Sequence, residues 1–230
     1  MKNVLHETPR AELHGRLLCT RQFVASEHLA GRRVLDIGCG FGWFVLYALS
    51  RGASHVSGLE WQEADLETAR RHIQSGRVSL QVGSAIDIPS GDASFDTATA
   101  WEVLEHIPEH CEPRMFAEAA RVLRPGGAFY LSTPFASFRA KLLDPAWWLV
   151  DHRHYPVDAL VRYATEAGFS VDACDIRGGW WEIAEILNLY ISKWVFRRSP
   201  LFQRRLRCLD REWLGKEGFM NIFMRLTKRP

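Results

Sequence analysis

The segment Val34-Leu35-Asp36-Ile37-Gly38-Cys39-Gly40-Phe41-Gly42-Trp43-Phe44 sets the strongest limit on what this chain can fold into. A short apolar run meets alternating glycines, and helical character resumes at Trp43. Glycine has no Cβ and enters conformations closed to other residues, so a strand can turn sharply into a helix here and a ligand can reach the backbone. The same alternation repeats downstream. His55 to Glu60 reads as a second strand, followed by a polar helix from about Gln62 to Gln74. Val78 to Val82, Phe95 to Ala100 and Ala128 to Ser132 read as the next three strands. Helical spacing runs from Glu109 to Leu123 and is closed by Arg124-Pro125-Gly126-Gly127, a helix stop and a turn combined. Then come a helix over Pro156 to Ala167, a strand over Phe169 to Ile176, a long helix from about Trp180 to Phe196 and a last strand over Asn221 to Leu226. Helices between successive strands force parallel pairing through right-handed crossovers. The last strand is free to return antiparallel.

No repeat, low-complexity tract or long Pro/Gly linker divides the 230 residues. The expectation is one domain over 1–230, with an N-terminal helix at about 11–30 and extra segments at about 135–155 and 178–215 on the ligand side. With 29 basic and 27 acidic residues the net charge is only +2, which argues against nucleic acid as a partner. Cys19, Cys39, Cys111, Cys174 and Cys208 are odd in number and never form Cys-x-x-Cys, so neither a disulfide framework nor a metal site is expected. The N-terminus lacks the apolar segment of a signal peptide, and no apolar run approaches the roughly 18 residues of a spanning helix. A reducing, cytoplasmic setting is the expectation.

The glycine turn sits where a first parallel strand meets its helix, and ligands bind at the carboxyl ends of such strands. About twenty residues on, Glu60 ends the second strand, where a carboxylate can accept two hydrogen bonds from a ribose diol. The spacing is Gly-x-Gly-x-Gly, and the position after Gly42 is the bulky Trp43. A dinucleotide site instead uses Gly-x-Gly-x-x-Gly beside its pyrophosphate. A nucleotide without a pyrophosphate is therefore expected, which disfavours a nicotinamide-dependent dehydrogenase.

Further segments fall into order with the turn: Gly83-Ser84-Ala85-Ile86-Asp87-Ile88-Pro89, Ser94-Phe95-Asp96, Trp101-Glu102-Val103-Leu104-Glu105-His106-Ile107-Pro108 and Leu123-Arg124-Pro125-Gly126-Gly127. Together they resemble the class I S-adenosylmethionine-dependent methyltransferases over roughly residues 30–175. The resemblance implies an α/β, Rossmann-like sheet of seven strands in the order 3-2-1-4-5-7-6, strand seven antiparallel, with helices on both faces. It implies S-adenosyl-L-methionine as cofactor and S-adenosyl-L-homocysteine as product. It implies that Asp36, Gly38, Cys39, Gly40 and Gly42 border the methionine part, that Glu60 takes the ribose hydroxyls and that Trp61 packs on the adenine. Ser84, Ala85 and Ile86 would read the adenine edge, although many relatives carry Asp at the position of Ser84. Ala100, Trp101 and Glu102 would line the pocket beneath the sulfonium.

Methyl transfer to a hydroxyl needs a base for the departing proton. His106, in the Glu-His pair after strand four, and His154, in Asp151-His152-Arg153-His154-Tyr155, are the candidates; each also has a purely structural reading. No metal-ligand spacing is evident, so no metal is expected. Phe135, Phe138, Trp147, Trp148, Tyr155, Trp180 and Trp181 fall outside the central strands and suit either a large, flat acceptor or a satellite core. The helix from Trp180 has an apolar face followed by Arg197, Arg198, Arg204, Arg205, Arg207 and Arg211. That face reads as core, as a homodimer contact or as a peripheral membrane contact through about 180–211. The expected activity is O-methylation of a small molecule: an aromatic acceptor, a glycan or a lipid-linked one. The competing reading is a binding module that keeps the fold and the cofactor but has lost the chemistry.

Overall fold

The computed structural model describes residues 14–143, 152–194, 196–197, 207–215 and 217–230. Its strands are β1 (Arg33–Ile37), β2 (His55–Glu60), β3 (Val78–Val82), β4 (Phe95–Trp101), β5 (Leu123–Pro134), β6 (Phe169–Arg177) and β7 (Asn221–Lys228). They form one sheet in the order β3-β2-β1-β4-β5-β7-β6. β1 pairs parallel with β2 and β4, β2 with β3, and β4 with β5; β7 alone runs antiparallel, between β5 and β6. The fold class read from the sequence is the one observed.

Strand alternation splits the core into two layers. Phe129 and Leu131 of β5 point to the side where α4 (Glu112–Val122) contributes Phe116 and α6 (Val157–Glu166) contributes Leu160. Ala128 and Tyr130 point to the other side, toward α2 (Trp43–Ser50) through Phe44 and toward α8 (Arg207–Leu214) through Trp213. On that side α3 (Glu63–His72) buries Leu66 and Ala69, an i,i+3 pair on an otherwise polar helix. None of the described helices is long and apolar enough to cross a membrane.

Element boundaries differ from the sequence reading at several places, the most telling being the following. The N-terminal helix expected over about 11–30 is α1 (Gly15–Phe23) followed by a separate 3-10 turn at Ser26–His28; residues 11–13 lie outside the described region. Val24 breaks it by going extended (φ −83°, ψ 122°) and buried, just after Phe23 meets the rings of Tyr130 and Phe223. The Pro-Gly-Gly turn sits inside β5: Leu123 already pairs with Phe95, and the ladder resumes at Ala128 opposite Thr97. Residues 124–127 therefore bulge from the ladder. Third, α8 forms within the arginine-rich stretch and docks on α1, where Asp210 Oδ1 accepts the Gly15 N–H at 2.6 Å.

Candidate active site

The glycine turn is held in shape by the strand beside it. The N–H groups of Gly38 and Cys39 both donate to Leu59 O, at 2.7 and 3.0 Å. Gly38, Gly40 and Gly42 have φ of +68°, +50° and +83°, which L side chains rarely adopt. Their surroundings differ. A Cβ on Gly38 would stand 2.5 Å from Val103 Cγ2, and one on Gly42 2.6 Å from Ile73 Cδ1. A Cβ on Gly40 would meet nothing within 4 Å. Gly38 and Gly42 thus serve packing, whereas Gly40 leaves open space over the turn.

Glu60 closes the other wall. Its Oε2 accepts the Gly40 N–H at 2.9 Å, and its Oε1 accepts the Gln62 N–H at 3.1 Å. These two bonds fix the plane of the carboxylate, and each oxygen retains a second lone pair for a ligand. Trp61 follows with its indole 74% exposed, an apolar platform next to an anchored acid. Cys39 is buried in the core layer against the helices. Asp36 is fully buried with Oδ1 accepting the Thr99 hydroxyl at 2.7 Å. Burial, the dominant cause, raises its carboxyl pKa to about 7 against the Thr99 bond, and the nearby Glu60 charge adds to the rise. Ser84, Ala85 and Ile86 are half-buried after β3, with Ser84 Oγ accepting the Ile86 N–H at 3.3 Å.

At the end of β4 the three expected pocket residues separate. Ala100 is buried in the layer under α4 and α6, while Trp101 points the other way, among Phe44, Tyr130 and Phe223. The Trp101 indole belongs to the core. Glu102 takes φ +54°, a strained value for a non-glycine residue, and its carboxylate is enclosed by protein groups. Arg16 and Asn221 each donate to its Oε2 at 2.7 Å, and Ser132 donates to Oε1 at 2.5 Å. Helix α1 is thereby tied to the carboxyl end of the sheet.

The histidines are arranged by a long-range staple. Arg153 donates to Glu112 Oε1 at 2.6 Å and to the carbonyls of Leu104 and Ile107. Tyr155 Oη lies 2.9 Å from the same Glu112 oxygen. The loop is pinned onto the 3-10 turn Leu104–His106, and His152 comes to rest beside His106 with ring centroids 4.8 Å apart and Nε2 to Nε2 3.4 Å. His106 is exposed along one edge, yet desolvation by its neighbours still lowers its pKa. His154 is buried one turn of the loop away. Beneath the pair, Glu105 is buried with Oε2 accepting the Thr133 hydroxyl at 3.0 Å, and its Oε1 lies 3.9 Å from His152 Nε2. Burial pushes the Glu105 carboxyl well above its usual range. One ligand atom from each of Glu105, His106 and His152 falls within 4.8 Å of the others, a donor set that could hold a cation. Sequence spacing alone did not bring His152 into this group, because His152 and His106 stand 46 positions apart.

Residues 34–127 match a family model described as a methyltransferase domain. Over these residues, from β1 to the Pro-Gly-Gly turn, the chain is similar to a methyltransferase domain. A ubiquinone biosynthesis O-methyltransferase from Aromatoleum aromaticum (strain DSM 19018 / LMG 30748 / EbN1) is 38% identical over 117 residues, 50% of this chain and 49% of that protein. The chain thus spans about half the length of the curated relatives it matches. Over nearly its whole length it has the fold of an S-adenosylmethionine dependent methyltransferase from Mesorhizobium loti (TM-score 0.64, 20% identity, 92% of this chain and 96% of that one). It also resembles a geranyl diphosphate C-methyltransferase from Streptomyces coelicolor A3(2), solved with Mg2+, geranyl diphosphate and S-adenosyl-L-homocysteine (TM-score 0.67, 16% identity, 91% and 77% covered). Identities this low speak for the shared methyltransferase fold alone.

Proposed function

We propose that the protein is an S-adenosylmethionine-dependent O-methyltransferase acting on a small molecule. The observation that carries the reading is the carboxylate of Glu60, locked by the N–H groups of Gly40 and Gln62 beside the exposed Trp61 and the open space over Gly40. An anchored acid next to an aromatic platform and a Cβ-free turn fits a nucleoside: diol on Glu60, base on Trp61 with Ser84, Ala85 and Ile86 at its edge. The methionine part would lie along Gly38, Cys39 and Gly40, close to Asp36, with Ala100 and Glu102 at the end of β4 beneath the sulfonium. When bound, the cofactor supplies an electrophilic methyl group on a positive sulfonium.

The chain's own residues supply position and a proton acceptor. Orientation of acceptor oxygen, methyl and sulfur in line can contribute roughly 7–11 kcal/mol. His106 takes the hydroxyl proton on its Nδ1, the ring nitrogen that does not face His152 Nε2. Its lowered pKa keeps the imidazole neutral near pH 7, and His152 at 3.4 Å holds its ring in place. His154, buried beneath the same loop, braces it. The relatives named for ubiquinone biosynthesis favour a hydroxylated aromatic acceptor over a glycan. The free thiols of all five cysteines fit a reducing, cytoplasmic setting.

Calorimetric titration with S-adenosylhomocysteine, with NADH as control, tests the cofactor. Micromolar binding of the former alone supports the reading; no binding by folded protein refutes it. Formation of S-adenosylhomocysteine from the methyl donor with any member of a panel of phenolic acceptors would reject the inactive-module alternative.

A further inference from the structure

Arg16 carries a positive charge to the end of β4, where the cofactor reading puts a second one. It is the second residue of α1, and Gly15 before it is fixed by the Asp210 carboxylate of α8. From that seat Arg16 Nη1 donates to Glu102 Oε2 at 2.7 Å, on the carboxylate that Asn221 and Ser132 also hold. Glu102 adjoins the glycine turn, because the side chain of the next residue, Val103, packs against Gly38. The Glu102 side chain is only 15% exposed, that of Arg16 39%. The anion of the pair is therefore enclosed, while water reaches part of the cation.

The same guanidinium acts on other acids around this space. Helix α7 (Trp180–Trp194) packs Ile183 against Ala140 of α5 (Phe138–Leu143) and against Met220, just ahead of β7. Its start is capped from α8: Glu212 accepts the N–H groups of Gly179, Trp181 and Glu182 at 2.9, 2.9 and 3.0 Å. The Trp213 indole donates to Glu182 Oε2 at 2.9 Å. Burial raises the Glu182 carboxyl pKa, and the Arg16 charge is the strongest influence opposing the rise. Arg16 acts on Glu185, Glu105 and the candidate base His106 as well. Its charge thus faces the reaction space and not only the solvent.

S-adenosylmethionine is a cation at sulfur, whereas S-adenosylhomocysteine, the same molecule without the methyl group, is neutral there. Contacts to the base, the ribose and the amino-acid end are common to both. The environment of the sulfur is what separates them, and here the Glu102 charge that would attract a sulfonium is already engaged by a guanidinium. A compensated carboxylate attracts a second cation less, and two cations repel. Resting on the cofactor reading above, we propose that Arg16 sets the discrimination between methyl donor and product, loosening the donor and leaving the product as the tighter ligand. Turnover is then governed by the ratio of donor to product, so a reaction that consumes the product must run beside this one.

The test is calorimetric titration of the full chain with each ligand at about pH 8, where an ordinary carboxylate is ionised. Wild type is compared with Arg16→Gln, which keeps a hydrogen-bond donor without the charge, and with Arg16→Lys, which keeps the charge. Wild type should bind S-adenosylhomocysteine more tightly than S-adenosylmethionine. Arg16→Gln should move the affinity ratio toward S-adenosylmethionine by at least about fivefold, water on the exposed side of the guanidinium limiting the effect. Arg16→Lys should restore the wild-type ratio. A role confined to seating α1 would change both affinities alike. An unchanged ratio in folded Arg16→Gln, or an equal change in Arg16→Lys, therefore overturns the proposal. So does tighter binding of S-adenosylmethionine by wild type, a measurement that needs no variant to fold. Folded wild type that binds neither ligand would sink the cofactor reading and this proposal together, whereas binding of both with a ratio indifferent to Arg16 would leave the cofactor reading standing.

Discussion

Replacing Asp36 by Asn should flatten part of the protein's pH dependence, and the size follows from burial. The folded carboxyl is raised from 3.8 to about 7, chiefly because no water reaches it. The unfolded chain gives up this proton near pH 4 while the folded chain keeps it to about pH 7, so across that window the unfolded state binds fewer protons. Stability therefore falls as pH rises and levels off above the folded value. At about 1.4 kcal/mol per unit the whole effect is about 4 kcal/mol, of which about 2.5 kcal/mol falls between about pH 5 and pH 8. Asn keeps the shape and can still accept the Thr99 hydroxyl but has no proton to lose. Urea melts of both proteins without cofactor should diverge by that amount between the two pH values, the variant becoming relatively more stable on the alkaline side. A cationic ligand beside Asp36 favours the ionised form, so wild-type affinity for S-adenosylmethionine should rise with pH through about 7 and the variant's should not. Parallel stability profiles for the two proteins would show that Asp36 is not the buried acid described here.

Glu60→Ala should weaken S-adenosylhomocysteine binding by about 1.5–3 kcal/mol, since it removes a charged acceptor; calorimetry showing unchanged affinity would take the ribose off Glu60. Gly42→Ala should lower stability by about 1–3 kcal/mol, from left-handed strain and the clash with Ile73 and Ala69. Gly40→Ala should cost stability only the strain term yet impair S-adenosylhomocysteine binding, and equal stability losses in the two variants would contradict their different surroundings. His106→Ala should slow turnover without changing cofactor affinity, and the acid limb of the wild-type rate profile should lie below the ordinary imidazole value of 6.5. His154→Ala should act mainly on stability; a turnover loss larger than that of His106→Ala would move the base to His154.

The parts of this site that depend on local chain geometry were legible in the sequence. Glycines at a strand–helix junction and an acid at the end of the next strand are a few residues from the groups they serve, and Gly40 indeed meets Glu60 directly. The strand order followed from the family likeness, since crossovers alone do not say which strand lands where. The histidine pair was not legible. It depends on Arg153 reaching Glu112 across 41 positions, and neither residue announces that reach. Trp101 misleads for a different reason: neighbours on a strand face opposite ways, so Ala100 and Trp101 cannot line one pocket with both side chains. α8 was hidden under its arginines, although Leu209 and Trp213, four apart and buried, carried the helical signal.

The place of β7 between β5 and β6 has a consequence for how the chain is made. β6 leaves the ribosome before the strand that will join it to the sheet, and it has no bond to β5 of its own. Until residues 221–228 emerge, the nascent protein carries two open strand edges, each a template for wrong pairing. The anchor of Arg16 is completed late as well, because Asn221 shares the Glu102 carboxylate with it. Helix α1 thus finds its final seat only when β7 arrives, and a chaperone or a slowly translated stretch would act most usefully just before that point.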